Sequence, residues 1–96
     1  MKFGIIGAGM ISRFHAMAIE AMTGGSLHSV FSRRTESARS FGEELNARSF
    51  DDLGAFLADP ELEIVTIATP SGAHLEPALA ALEAGKHVVC FFYRLR

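Results

Sequence analysis

The chain has 96 residues, 49% of them hydrophobic and 21% charged, an ordinary globular composition that excludes disorder and low complexity. Nine basic residues against eleven acidic ones leave a formal charge of −2, too balanced for general nucleic-acid binding. One cysteine excludes an intramolecular disulfide framework and fits a reducing compartment, so a cytoplasmic location is expected.

Met1-Lys2 and the apolar residues after them have the outline of a secretory signal. Gly4, Gly7 and Gly9 interrupt that run, however, and Arg13 follows with no small-residue cleavage site. No apolar run approaches the roughly 20 residues needed to span a bilayer, so no membrane partner is expected. Residues 2–6 are apolar after Lys2 and end in glycines, which predicts a strand buried on both faces. Ile11, Phe14, Ala18, Ala21 and Met22 recur at three- and four-residue steps and place one apolar stripe on a helix that Gly24-Gly25 ends. Met10, Met17 and Met22 suit helix packing, and His15 fits the packed face. Residues 27–32 form a second strand candidate. Thr35 caps a helix to about residue 45, with Asn46 as its terminator. A short strand over 48–50 precedes a helix over 51–58, stopped by Asp59-Pro60. Residues 63–69 are rich in β-branched side chains and predict a buried strand. After Pro70-Ser71-Gly72 a helix spans 73–84 with Gly85 as its cap, and residues 87–92 are the last strand.

Strand and helix alternate throughout, with connections long enough to force parallel pairing. The expected fold is an α/β doubly wound parallel sheet of about five strands, Rossmann-like, with no internal repeat or linker.

Gly7-Ala8-Gly9-Met10-Ile11-Ser12 fills the first strand-to-helix turn. A G-x-G is weak alone and gains weight from this position. Gly7 permits the tight turn, and Gly9 lets a pyrophosphate reach the backbone with no Cβ in the way. The helix N-terminus then turns its N–H groups and positive dipole end toward the phosphates. Ser12 replaces a third glycine and is small enough for close helix–strand packing. Folds that choose NAD place a carboxylate about 20 residues beyond the motif, on the ribose 2′-hydroxyl. Here that count lands on Ser32, followed by Arg33 and Arg34. A carboxylate about 4 Å from a 2′-phosphate would cost on the order of 4 kcal/mol at an effective dielectric near 20, so its absence matters. Guanidinium forks favour the phosphate. NADP is therefore expected over NAD, the other reading being that Arg33 and Arg34 are solvated loop residues. The missing acid also argues against a methyltransferase, and the absence of a Walker lysine against a nucleoside triphosphatase.

Two further segments carry a resemblance. Ile67-Ala68-Thr69-Pro70-Ser71-Gly72-Ala73-His74 closes the fourth strand, and Ala84-Gly85-Lys86-His87-Val88-Val89-Cys90 runs into the fifth. With Gly7-Ala8-Gly9-Met10-Ile11 and Phe14-His15-Ala16, the chain resembles the N-terminal dinucleotide-binding domain of the glucose–fructose oxidoreductase/inositol dehydrogenase (Gfo/Idh/MocA) family over about residues 1–90. The resemblance implies a nicotinamide-dependent oxidoreductase acting on a sugar, polyol or related hydroxyl or carbonyl compound. It places Thr69, Pro70 and His74 over the cofactor near the nicotinamide; the equal alternative for His74 is a helix-start residue with a local hydrogen bond. The expected cofactor-binding set is Gly7, Gly9, Met10, Ile11, Ser32, Arg33, Arg34, Thr69, Pro70 and His74.

The resemblance stops after Cys90. Family members continue into Glu-Lys-Pro, whose lysine helps bind substrate and assists proton transfer, whereas this chain reads Phe91-Phe92-Tyr93 and Arg94-Leu95-Arg96. Phe92 stands at the lysine position and has no proton to exchange, so that role does not carry over. Residues 91–96 are expected to be a divergent tail, from truncation, a frame change or a gene fragment. Without the family's second domain, no catalytic residue and no dehydrogenase activity are expected of the chain alone. The alternative is a non-catalytic nucleotide-binding or interaction module that dimerises through its apolar last strand. His15, His28, His74, His87 and Cys90 lack metal-ligand spacing. Lys86, in the turn before the last strand, is expected to be solvated.

Overall fold

The computed structural model describes residues 1–68 and 75–90. Its elements are β1 (Lys2–Ile6), α1 (Met10–Ala21), β2 (Ser26–Phe31), α2 (Thr35–Leu45), β3 (Arg48–Phe50), α3 (Leu53–Leu57), β4 (Ile64–Ile67), α4 (Leu75–Glu83) and β5 (His87–Cys90). Neighbouring strands all pair parallel in the order β3-β2-β1-β4-β5, the doubly wound five-stranded sheet that the alternation predicts. The chain reverses its direction across the sheet between β1 and β4, and ligands of such folds bind at the strand ends beside that switch.

Alternate residues of each strand feed two cores. On one face α1 and α2 cover Phe3, Ile5 and Val30 with Ala16, Ile19 and Phe41. On the other, α3 and α4 cover Ile6, Phe31, Val65 and Ile67 with Phe56, Leu57 and Ala81. Asn46 ends α2 in the left-handed conformation at φ 55°, as its position predicts, and Gly85 follows α4 at φ 80°.

Several local expectations are corrected. Arg34, not Thr35, holds the cap position of α2; Thr35 is the first helical residue, and its Oγ1 donates to Asp51 Oδ2 at 2.6 Å. Helix α3 starts later than residue 51 because Asp52 caps it, accepting from the Gly54 N–H at 3.3 Å. Lys86 is not simply solvated, since its Nζ donates to the Asp59 carbonyl at 2.8 Å. The expected β4 end at 69, helix start at 73 and strand end at 92 lie outside the described residues.

The largest correction concerns α1. The packed residues are Ser12, His15, Ala16 and Ile19, an arc turned by about 120° from the expected stripe at 100° per residue. Small Ser12 and Ala16 let the helix axis approach the sheet closely. Bulky Phe14 and the methionines at 10, 17 and 22 are left facing outward, so they do not pack as expected.

Candidate functional site

The turn after β1 is built around two glycines with different duties. Gly7 has φ 121°, its N–H donates to the Phe31 carbonyl at 2.8 Å, and a Cβ on it would lie 3.0 Å from the Ala68 carbonyl oxygen. Only glycine fits that conformation. Gly9 has ordinary extended backbone, and a Cβ there would meet no atom of the described residues within 4 Å. No described residue therefore requires glycine at position 9, and the open space above it suits a group approaching from outside. Gly9 also caps α1 with no side-chain cap, and the first turn carries no acidic residue. Its N–H groups and the positive end of the helix dipole are left to an external anion. Ser12, at the third-glycine position, is fully buried against this turn.

A cleft of about 670 Å³ opens here at the carboxyl ends of the strands. It brings together Gly7, Gly9, Ser32, Arg33 and Arg34, five of the sequence-predicted residues, along with Ile6, Ala8, Phe31 and Ala68. Met10 and Ile11 sit in the first turn of α1 beside the cleft rather than on its wall, with Met10 exposed and Ile11 half-buried. Thr69, Pro70 and His74 lie outside the described residues. Leu53, Glu76 and Pro77 also line the cleft and were not expected. They come from the first turns of α3 and α4, and only the crossing of the chain over the sheet brings them to the glycine turn.

The rim beyond β2 is held in place by its backbone. Ser32 N–H donates to the Phe50 carbonyl at 3.1 Å, and Ser32 Oγ accepts from the Arg34 N–H at 3.3 Å. Among the described residues no carboxylate forms an ion pair with Arg33 or Arg34. Two guanidinium groups without an ion pair among the described residues thus share the cleft wall with Gly9, which opens α1 without a side-chain cap. Both features attract anionic groups.

The opposite ends of the strands hold a separate polar group. The pairing of β1 with β2 shifts register between Phe3 and Gly4, which leaves His28 as the extra residue of a bulge. His28 Nε2 meets Asp59 Oδ2 at 2.7 Å, and this bond is the main reason the Asp59 carboxyl is held below its ordinary value. The ligand-type atoms of His28, Asp59 and Glu61 lie within 4.8 Å of one another. Protein cations already face both carboxylates: Arg48 is 3.6 Å from Asp59, and Lys2 pairs with Glu61. The group fastens strand ends and lies away from the cleft. His15 is buried in α1 with its Nδ1 3.1 Å from Thr66 Oγ1, the packing role its position predicts. No helix among the described residues is long and apolar enough to cross a membrane.

Known proteins share this fold. The UDP-N-acetylglucosamine 3-dehydrogenase of Acidithiobacillus ferrooxidans is 38% identical over 87 residues, covering 91% of this chain and 26% of the relative. The WlbA dehydrogenase of Bordetella pertussis, solved with NADH and UDP-GlcNAcA, superposes with a TM-score of 0.85 at 32% identity, over 94% of this chain and 28% of that one. A 3-ketoreductase from Actinomadura kijaniata, solved with TDP-benzene and NADP, gives a TM-score of 0.85 at 30% identity, over 94% of this chain and 29% of that one. The chain thus spans about a quarter of the length of the proteins it matches. The family described as "Oxidoreductase family, NAD-binding Rossmann fold" matches residues 1–90, the span that holds the glycine turn, the switch point and all five strands. The chain therefore belongs to the Gfo/Idh/MocA oxidoreductases, as their dinucleotide-binding Rossmann unit.

Proposed function

We propose that the cleft binds NADP in preference to NAD, and that residues 1–90 serve as the cofactor-binding part of an oxidoreductase acting on a sugar, polyol or related hydroxyl or carbonyl compound. The observation that carries the preference is Ser32-Arg33-Arg34 on the cleft wall, with no carboxylate ending β2 and, among the described residues, no ion pair occupying either arginine. Similar proteins have been solved with NADH and with NADP, so membership of the family does not choose between them. These three residues support NADP.

In this reading the N–H groups at Gly9, Met10 and Ile11 hold the pyrophosphate. Arg33 and Arg34 hold the 2′-phosphate, and Leu53 offers the adenine an apolar wall. By the family resemblance, Thr69, Pro70 and His74 meet the nicotinamide end. The bound nicotinamide supplies hydride transfer, and the chain supplies binding and orientation. No residue is assigned to proton transfer, because Phe92 takes the position of the family lysine. A reducing, cytoplasmic setting suits the single cysteine. Calorimetric titration with NADP and with NAD tests the preference. NADP is expected to bind at least about tenfold more tightly, a difference of about 1.4 kcal/mol; equal or reversed affinities would remove it.

A second reading, association through the last strand, is favoured by the place of β5 at the sheet edge, where one side of its backbone has no strand partner among the described residues. Its test is amide hydrogen exchange over 87–90 across a concentration series. Protection that rises with concentration supports it, and unchanged protection removes it.

A further inference from the structure

The outward face of α1 is apolar from end to end. Met10 is 72% exposed, Phe14 56% and Met17 67%, and the exposed Ala21 completes a row spaced by four, three and four residues. That spacing is the seam of a two-helix coiled coil. Next to it Met22, 49% exposed, continues the surface into a groove toward Val89. Isolated exposed apolar side chains are ordinary, but a contiguous row at seam spacing marks a contact surface.

We propose that this face docks a second copy of the chain, α1 against α1 in an antiparallel pair about a two-fold axis. The charges bordering the seam select that partner and that direction. Arg13 and Glu20 lie seven residues apart on the same flank of the row. In an antiparallel pair equivalent flanks meet, so Arg13 comes beside Glu20 of the partner subunit, and the symmetry repeats the contact. In a parallel pair Arg13 would instead face the partner's Ala18. Arg13 is already steadied by Glu44, with Nε and one terminal nitrogen at 2.8 and 2.9 Å, and it remains half exposed. The exposed Met10, Phe14, Met17 and Met22 form a small apolar centre, smaller than the roughly 1,200–2,000 Å² of a stable interface and of the kind a weak, micromolar dimer uses.

Sedimentation equilibrium and light scattering on the 96-residue chain test the proposal. The chain is expected to form a dimer in the micromolar range. Phe14→Glu should weaken it by about a hundredfold or more, and Arg13→Glu or Glu20→Arg by about tenfold each. An equimolar mixture of the Arg13→Glu and Glu20→Arg chains should recover the dimer, because every flank contact is then attractive. All three positions are exposed, and an unchanged far-UV circular dichroism spectrum with a cooperative melting transition verifies that the variants fold. A wild-type chain that stays monomeric to about 300 μM overturns the proposal. So does a dimer indifferent to all three substitutions, and that second outcome would assign association to the β5 edge.

Discussion

Replacing Gly7 and Gly9 one at a time should separate stability from binding at two positions only one residue apart. Gly9 begins a helix that has no side-chain cap, with ordinary extended backbone, and a Cβ there meets none of the described residues. Serine caps better than glycine by a few tenths of a kcal/mol, so Gly9→Ser should hold or raise stability. At about 4–8 °C per kcal/mol for a chain of this size, the melting temperature should rise by roughly 1–3 °C. The same side chain occupies the space in which a pyrophosphate would rest. Affinity for NADP should therefore fall at least about tenfold, or 1.4 kcal/mol. Gly7→Ala should do the reverse. At φ 121°, with its Cβ 3.0 Å from the Ala68 oxygen, alanine costs on the order of 1–3 kcal/mol and lowers the melting temperature by roughly 10 °C. Melting curves followed by circular dichroism, together with calorimetric titration, give both quantities. A Gly9→Ser chain that binds like wild type, or a Gly7→Ala chain that melts like wild type, refutes the division of labour.

Arg33→Ala and Arg34→Ala should each weaken NADP by about tenfold and leave NAD nearly unchanged, as paired titrations would show; parallel losses for both cofactors would return these residues to the solvated-loop reading. Phe56→Ala removes a fully buried ring packed edge-on to Phe50 at 5.8 Å and tilted against Phe31 at 5.9 Å. A loss of about 3–5 kcal/mol is expected in urea unfolding, enough to unfold much of a chain with a typical margin of about 5–15. The lowered Asp59 carboxyl stabilises the fold above its ordinary value of 3.8, and that contribution is lost as pH falls through the lower folded-state value. Asp59→Asn should therefore flatten the acid limb of a stability-versus-pH curve, and an unchanged limb would count against the His28–Asp59 contact.

The order of elements was legible in the sequence because period, β-branching and terminators agree locally. Asn46 and Gly85 act where their positions suggest, and the glycine turn lies in the strand-to-helix context that gives it meaning. The orientation of α1 was not legible, since apolar residues lie all around the helix and periodicity cannot say which arc touches the sheet. Side-chain size decides it, with Ser12 and Ala16 facing inward and Phe14 and Met17 outward. The cleft was half legible. Ser32, Arg33 and Arg34 follow β2 by simple counting, whereas Leu53, Glu76 and Pro77 arrive through crossovers that no local pattern records. The contacts of Asp59 with His28 and Lys86 span 31 and 27 residues and depend on strand register.

The sheet order also bears on how the chain assembles during synthesis. Strand β1 is made first but occupies the centre of the sheet, and Phe3 must wait for Ile64 before its second side is paired. At about 5–20 residues per second, a ribosome leaves that side open for roughly 3–12 s. In that interval β1, β2 and β3, with α1 and α2, can already form a three-stranded half with its own core. The remaining strands add afterwards to an exposed central edge. Pauses in translation between β3 and β4 should lengthen the life of that half-built sheet, and with it the opportunity for the open side of β1 to capture the wrong strand.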